Sequence, residues 1–480
     1  MRSMFDGTRR TSAIVLGAAV SLVLAGCGSS TDSGNGGSGG AAPAGDDGKL
    51  VGEQEYISAP CPEVGVKPSQ KEFTYWSMWT KDEPQGRVLQ KAFKCFEEKA
   101  GVKVNVQWLG RKMLTQNVAP ALNTDTVPDL IDQDISQVKA AVVDAGGTQG
   151  LDDVLAMKTG EAGDKTVKDV IPKELYDIPQ NKDKDGKLFE IPYEVLSNGW
   201  WYNKKKVTDF KEPKTTEDLF ALLDKAKQGG GAIAQDGDID FYNAYFFTQI
   251  AERYVGAGGI QKAVDDKTGA LWKSEPGFLK AAQYVEKLAK GGYFIDGWDA
   301  GKFPQIQQRW ADGDAAYLFV GSWGPSETRE YLGKQGGGTT IDYGSFQFPK
   351  PADATHDTVE FLPIGWAVTK KAKNPDAAKA FIAYFSNKDL AKGIPAVADN
   401  LSPRPELPVP DDLKQMNAAL TDSKKEKVVF MDSIDSLYGG NFVKNAFYPL
   451  NNDLLKGKIT AQQFIDGIGP KTADFWKSQG

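Results

Sequence analysis

The sequence contains very few of the side chains that usually carry catalysis or bind transition metals. In 480 residues there is one histidine, His356, and there are three cysteines, Cys27, Cys61 and Cys95. A structural zinc site draws its ligands mainly from these two residue types, so the shortage argues against one. No Gly-x-Ser-x-Gly elbow precedes His356, and the sequence has no P-loop, dinucleotide fingerprint or EF-hand loop. The sequence therefore predicts no metal site, cofactor or catalytic triad, and we interpret His356 as a solvated loop residue.

Long uncharged hydrophobic segments and an excess of basic charge are also missing. The apolar run over residues 13–25 is shorter than the roughly 20 residues that a membrane-spanning helix needs. It follows Arg2, Arg9 and Arg10, an order typical of an export signal that is later removed. Without residues 1–26 the chain has 54 basic and 63 acidic residues, a net charge of −9 with histidine neutral. This acidic balance argues against nucleic acid or an anionic membrane as the main partner.

The end of the apolar run carries a lipidation motif. The sequence Leu-Ala-Gly-Cys at residues 24–27 resembles the bacterial lipobox, in which lipid is attached to the cysteine and cleavage occurs just before it. The alternative is an ordinary secretory signal with a chance cysteine. Arg9 and Arg10 also suggest twin-arginine export, but Thr11 and Ser12 are not the usual apolar pair, so the export route stays open. We predict that residues 1–26 are a signal peptide and that Cys27 holds the protein on the outer face of the cell membrane.

The segment after Cys27 predicts a flexible tether. Residues 29–48 are almost all glycine, serine, alanine and aspartate, which cannot bury enough apolar surface to order themselves. Random-coil scaling gives such a tether a reach on the order of 25 Å. We assign residues 27–68 to it. Beyond the tether, an even pair of cysteines in an oxidising compartment predicts a Cys61–Cys95 disulfide, with two unpaired thiols as the alternative.

The remaining residues predict an α/β protein with more than one domain. The chain is 40% hydrophobic and 25% charged, as expected for a globular protein. About 400 residues exceed what one core usually holds, so two domains are expected. Strand-like alternation over residues 73–78 is followed by helical spacing over 88–96 and by a second strand over 102–108. This β-α-β order favours a parallel sheet.

Several short segments, in this order, resemble one protein family. They begin with the first strand and loop at 75–80 and the helix end and second strand at 96–104, and continue through 128–131, 191–194, 201–204, 313–316, 320–323, 365–368 and 373–381. Together they are similar to the extracellular solute-binding proteins of carbohydrate ABC importers, the group that includes maltose-binding protein. The match extends from Phe73 to the C-terminus.

The resemblance implies a two-lobed fold with discontinuous lobes, a hinge and a ligand cleft. The N-terminal lobe would comprise residues 70–195 and 365–412, and the C-terminal lobe residues 196–364 and 413–480. A transmembrane permease would be the protein partner, the lipid would be the only membrane contact, and the protein would be a monomer. Maltose-binding protein has an aromatic residue where Gln133 stands, which argues against a maltodextrin ligand.

Sugars bind through aromatic rings against their C–H faces and through carboxylates and amides that fix their hydroxyl groups. On this basis, and from positions that line the cleft in the family, we predict a set of ligand-binding residues, each of which could instead be a core or surface residue. The set is Trp79, Lys81, Gln133, Asp134, Glu194, Trp200, Tyr242, Tyr245, Trp323, Trp366 and Arg404.

Two other functions remain open at this point. A glycoside hydrolase would need two carboxylates on either side of the scissile bond, and Glu194 with Asp134 could supply them. A receptor for a non-sugar solute is the second alternative, although the scarcity of basic cleft candidates argues against an anion.

The lipidation motif gives a first testable prediction. Mass spectrometry of the native protein should find lipid on an N-terminal Cys27, and Cys27→Ala should release the protein into the medium, because the thiol is the only attachment point. Recovery of mature protein with residues 1–26 intact would contradict the prediction.

Overall fold

The computed structural model describes residues 50–229, 231–335 and 340–479. The predicted signal peptide, Cys27 and the first part of the predicted tether lie outside these residues. The described residues form a mixed α/β fold, as predicted.

A single nine-stranded sheet runs through the described part of the molecule. Its strands are β1 (Glu72–Ser77), β2 (Lys103–Trp108), β3 (Leu130–Asp134), β4 (Ile191–Asn203), β5 (Ile233–Ala234), β6 (Tyr317–Gly321), β7 (Tyr343–Phe346), β8 (Thr358–Val368) and β9 (Glu426–Val429). The strand order is β2-β1-β3-β8-β4-β6-β5, with β7 paired to β4 and β9 to β8. Strands β1, β2 and β3 are parallel, which confirms the prediction from the β-α-β order.

Helices cover both faces of the sheet. They are α1 (Glu53–Ser58), α2 (Pro84–Ala100), α3 (Gly110–Ala121), α4 (Ile135–Val138), α5 (Val167–Val170), α6 (Lys173–Tyr176), α7 (Thr216–Lys227), α8 (Asp240–Val255), α9 (Gly259–Asp265), α10 (Leu271–Ser274), α11 (Pro276–Gly291), α12 (Gln305–Asp312), α13 (Gly324–Lys334), α14 (Pro375–Phe385), α15 (Lys388–Ala391), α16 (Gly393–Val397), α17 (Lys414–Thr421), α18 (Tyr448–Leu455) and α19 (Ala461–Gln479). Among the helices of the described ranges, none has the length and apolar character needed to cross a bilayer.

Local sequence explains the ends of the long helices. Helix α2 begins with proline at its first position, where no backbone N–H is needed, and ends at Gly101 with a left-handed φ of 67°. Helix α7 begins with a capping box, in which Thr215 and Asp218 each accept a hydrogen bond from the other residue's backbone N–H.

Strand β4 runs through both halves of the sheet, and strand β8 pairs with its first part. Residues 191–197 of β4 pair with β8, whereas residues 198–203 pair with β6 and β7. We call β1–β3, the helices packed on them and the start of β4 the first half, and β5–β7, their helices and the end of β4 the second half. The predicted lobe boundaries near residues 195 and 365 fall within these two strands, and they remain a prediction.

Close strand packing explains one glycine in the crossing. A Cβ at Gly365 would lie 2.6 Å from the Ile191 carbonyl oxygen, so β8 and β4 can approach this closely only with glycine at this position.

Each half has an aromatic core. In the first half, the ring of Trp366 lies 4.4 Å from that of Tyr193 and 5.4 Å from that of Phe381. In the second half, Trp200 stacks 4.8 Å from Phe319 and 6.0 Å from Phe346. These contacts hold the strands of each half against the helices that cover them.

The predicted tether is shorter than the sequence suggested. Helix α1 packs on the first half, where Tyr56 is 1% exposed and its hydroxyl donates to the Leu390 carbonyl at 3.1 Å. Cys61 is joined to Cys95 of α2 with a Cα–Cα distance of 5.1 Å, as predicted. The assignment of residues 53–68 to the tether was therefore wrong, because one buried tyrosine and one disulfide attach this segment to the core.

We expect the disulfide to stabilise the fold. It closes a loop with a sequence separation of 34 residues, and for such a loop the lost chain entropy of the unfolded state corresponds to roughly 3–4 kcal/mol. The double variant Cys61→Ala/Cys95→Ala should lower the free energy of unfolding by about that amount in urea titrations. Two reactive thiols in the denatured, unreduced wild-type protein, with Cys27 excluded, would contradict the pairing.

Candidate functional site

A buried carboxylate in β3, Asp132, joins the loop after β1 to β4. The Asp132 Oδ1 atom accepts a hydrogen bond from the Met78 N–H at 2.8 Å, and Oδ2 accepts one from the Tyr193 hydroxyl at 2.7 Å. The same hydroxyl accepts a hydrogen bond from the Trp79 indole N–H at 2.7 Å. Burial raises the pKa of Asp132 to about 6, partly offset by these hydrogen bonds. The loop after β1 is thus fixed to β3 and β4, with Trp79 held at the end of the sheet.

A cation lies over the ring of Trp79. The Arg111 guanidinium carbon of α3 is 4.5 Å from the ring centroid, and Arg111 Nη1 is 2.8 Å from a Glu83 carboxylate oxygen. At this distance the attraction between the cation and the π-system is favourable. The Arg111 side chain is 53% exposed, so it covers Trp79 from the solvent side.

Glu194 connects the two halves through hydrogen bonds. Its Oε1 atom accepts from the amides of Gln85 at 3.0 Å and Asn400 at 2.6 Å. The Asn400 side-chain oxygen in turn accepts from the hydroxyl of Ser322, which follows β6 in the second half, at 2.8 Å. Glu194 Oε2 is buried and has no hydrogen-bond partner among the described residues. Burial raises the pKa of this carboxyl to about 7.

The second half carries an aromatic pair. Trp323 and Tyr242 stack with ring centroids 5.9 Å apart, and the Trp323 indole N–H donates to the Tyr242 hydroxyl at 3.1 Å. The Trp323 ring folds back over Gly321, where a Cβ would lie only 2.0 Å from ring carbon Cζ3. Glycine at 321 is therefore required for this ring position. Both aromatic residues are partly exposed, unlike the core tryptophans.

Further carboxylates come from the second half. Asp236, Glu327 and Asp435 are shielded from solvent and face neutral polar side chains: Gln307 interacts with Asp236 and Glu327, and Ser136 interacts with Asp435. Burial raises the pKa of Asp236 to about 6, of Glu327 to about 7 and of Asp435 to about 8. The positive charge of Arg111 partly offsets the rise in the pKa of Glu327.

The structure brings several predicted site residues together and leaves others apart. Trp79, Glu194, Tyr242 and Trp323 lie where the two halves meet, as described above. Asp134 also lies at this edge, where it accepts a hydrogen bond from the Gln137 N–H at 2.9 Å and caps α4, and burial raises its pKa to about 6. Gln133 is 4% exposed, and its side-chain oxygen accepts from the Asp134 N–H at 3.1 Å.

Five other predicted residues serve different roles. Trp200 and Trp366 are core residues, because aromatic rings cover them in each half. Tyr245 is also fully buried, 4.9 Å from Phe241. Arg404 is 2% exposed, pairs with Glu161 and Glu406, and donates to the Ser386 carbonyl at 2.6 Å. Lys81 is on the exposed surface.

Sequence reasoning missed seven polar residues of the candidate site. These are Gln85, Arg111, Asp236, Ser322, Glu327, Asn400 and Asp435. Each is an ordinary polar residue in a helix or loop, and only the way the chain folds brings it to the site. The first two could have been suspected because they follow strands β1 and β2, whose carboxyl ends meet the cleft.

Residues 91–421 match the sequence profile described as "Bacterial extracellular solute-binding protein". The chain belongs to this family. The two-lobed α/β fold is also that of solved solute-binding proteins, including a structure from a study of xylan utilization by Caldanaerobius polysaccharolyticus. That structure has 18% identity and a TM-score of 0.68, with 83% of this chain and 99% of that chain covered.

Two curated relatives carry transport names. One is the "Uncharacterized ABC transporter extracellular-binding protein PH1214" of Pyrococcus horikoshii, 25% identical over 57% of this chain and 59% of that protein. The other is the "Galactooligosaccharide-binding protein" of Bacillus subtilis, 23% identical over 80% of this chain and 78% of that protein. The match thus spans about three fifths of the length of the Pyrococcus relative.

The contrast between Trp200 and Trp323 in the second half gives a prediction about this solute-binding protein. Trp200→Ala should lower the free energy of unfolding by about 3–5 kcal/mol, because it opens a cavity between packed rings. Trp323→Ala should lower the free energy of unfolding much less, since the ring is partly exposed and lies after strand β6, at the start of α13. Chemical denaturation of the two variants checks this, and equal losses would mean that Trp323 is a core residue.

Proposed function

We propose that this protein captures an extracellular sugar, an oligosaccharide, in the cleft between its two halves and delivers it to the permease of an ABC importer. The observation that carries the proposal is the composition of the cleft. Glu194 Oε2 has no hydrogen-bond partner among the described residues. Glu194 is linked through Asn400 to Ser322, and the next residue, Trp323, is a partly exposed aromatic ring. Sugar hydroxyls can donate to such an oxygen, and an aromatic ring can cover C–H faces.

The family and the names of the relatives support this proposal. Membership in an extracellular solute-binding family favours capture without chemical conversion. The relatives named for an ABC transporter and for galactooligosaccharides favour a sugar and a permease partner. We further propose that the protein is a monomer, is not an enzyme and is anchored through Cys27.

The two halves also supply the contacts that a closing receptor needs. The Ser322–Asn400 hydrogen bond joins the second half to the first, and Arg329 of α13 forms ion pairs with Asp399 and Asp412. We propose that β4 and β8 are the hinge crossings. A ligand that contacts both halves then favours the closed arrangement through its higher affinity for that state.

Calorimetry against a panel of neutral trisaccharides, including raffinose, maltotriose and cellotriose, tests the function. We expect saturable binding to at least one of them, no loss of sugar over hours, and a smaller radius of gyration in small-angle scattering at saturation. Trp323→Ala should weaken that binding by about 1–3 kcal/mol, the effect of losing a strong aromatic anchor.

Catalytic loss of the sugar would favour the hydrolase alternative with Glu194 and Asp134 as its carboxylates. The matched control is Trp298→Ala, which removes a tryptophan that stacks on Phe294 at 4.3 Å. Its affinity for sugar should equal that of the wild type.

A further inference from the structure

The ring of Trp79, in the loop after β1, is held in a fixed position by hydrogen bonds. Its indole N–H donates to the Tyr193 hydroxyl at 2.7 Å, and that hydroxyl donates to Asp132 Oδ2 at 2.7 Å. The backbone N–H of Trp79 donates to the Ser77 hydroxyl at 3.1 Å. Tyr193 and Asp132 are both buried in the sheet. The ring therefore cannot turn without breaking buried hydrogen bonds, which makes it a preorganised aromatic surface.

An arginine side chain covers one face of this ring. The guanidinium carbon of Arg111 lies 4.5 Å from the ring centroid, and Trp79 is only 3% exposed, whereas the Arg111 side chain is 53% exposed. The backbone explains this position. The Leu109 N–H donates to the Ser77 carbonyl at 3.2 Å, and Gly110 has a left-handed φ of 72°, so the chain turns from β2 into α3 beside the loop after β1. A half-exposed side chain thus shields a ring that is otherwise buried.

A carboxylate of the same loop holds the arginine over the ring. Glu83 Oε1 accepts a hydrogen bond from Arg111 Nη1 at 2.8 Å, and Glu83 Oε2 accepts one from the Thr80 N–H. Gly86 lets the start of α2 pack on this loop, since a Cβ there would lie 2.3 Å from the Thr80 carbonyl oxygen. Trp79 and Glu83 are therefore fixed, and the long Arg111 side chain is the part that can swing into solvent. Ion pairs and cation–π contacts that are open to solvent are weak.

We propose that Arg111 is a removable cover of the Trp79 ring, and that the sugar replaces the guanidinium on the ring when it binds. The proposal rests on the function proposed above and assigns an autoinhibitory contact to it. A guanidinium plane and the C–H face of a sugar both pack flat on an indole, so the two exclude each other from this face. The apparent affinity for sugar is then reduced according to the fraction of molecules in which the ring is uncovered.

Calorimetric titration of the wild type and of Arg111→Ala with raffinose, maltotriose and cellotriose tests the cover. We expect Arg111→Ala to bind the sugar that saturates the wild type at least about threefold more tightly, because the ring no longer has to be uncovered. If Arg111 instead contacted the sugar directly, the variant would bind it more weakly. Glu83→Gln removes the charge that holds the guanidinium and keeps an acceptor for the Thr80 N–H, so it should also tighten binding, by a smaller factor.

Salt gives a measurement that a merely structural role of Arg111 would not affect. Because ions screen the partly exposed Arg111–Glu83 pair, raising sodium chloride from about 0.02 M to about 0.5 M should tighten the binding of a neutral sugar to the wild type by about twofold. Arg111→Ala should show no such dependence. The matched control is Lys267→Ala, which removes a cation that lies 4.9 Å from the ring centroid of Trp476. Its affinity and its salt dependence should both equal those of the wild type.

The failure of the cover and the failure of the receptor function give different results. If Arg111→Ala is folded, as judged by circular dichroism, and binds the sugar no more tightly than the wild type does, the cover proposal fails and the receptor function stands. If neither protein binds any sugar of the panel, the receptor function fails and the cover fails with it. If Arg111→Ala does not fold, the comparison of Glu83→Gln with the wild type decides in the same way.

Discussion

The structure depends on the antiparallel pairing of β4 with β8. Strand β4 is shared by the two halves and its first part pairs with β8, so this ladder joins one half to the other. Side chains reinforce the pairing where the strands cross. The Ser197 hydroxyl donates to the Glu360 carbonyl at 2.9 Å, and the Asn198 amide donates to the Glu360 carboxylate at 2.6 Å. Backbone and side-chain hydrogen bonds therefore hold β4 and β8 together where the strands cross.

An irregularity in this ladder places the central acid of the cleft. The register shifts between Pro192 and Glu194, so that Tyr193 is an extra residue on β4. Such a bulge disturbs the strict alternation of side chains along a strand. Tyr193 can then pack on Trp366 while its hydroxyl reaches Asp132, and Glu194 reaches Asn400 on the other side. One inserted residue thus serves both the aromatic core and the site.

The fold was more predictable from sequence than the site was. The β-α-β order of the first strands and the paired cysteines follow from periodicity and composition, which are local properties. Whether a tryptophan belongs to the binding site or to the core depends on the direction in which its side chain leaves the strand or loop. Trp200 and Trp323 are both aromatic residues next to a glycine, but only the strand partners of Trp200 reveal that rings enclose it. The acids at 236, 327 and 435 lie far apart in sequence, and no local pattern indicates that they converge.

The attachment of α1 to the first half has a mechanical consequence. Tyr56 and the disulfide connect the chain before β1 directly to α2 and to the segment that contains Leu390, both in the first half. Tension applied to the chain ahead of α1 therefore passes into that half through a covalent cross-link and not through the cleft. Because neither contact involves the second half, a pull on this segment acts first on the half that contains α2.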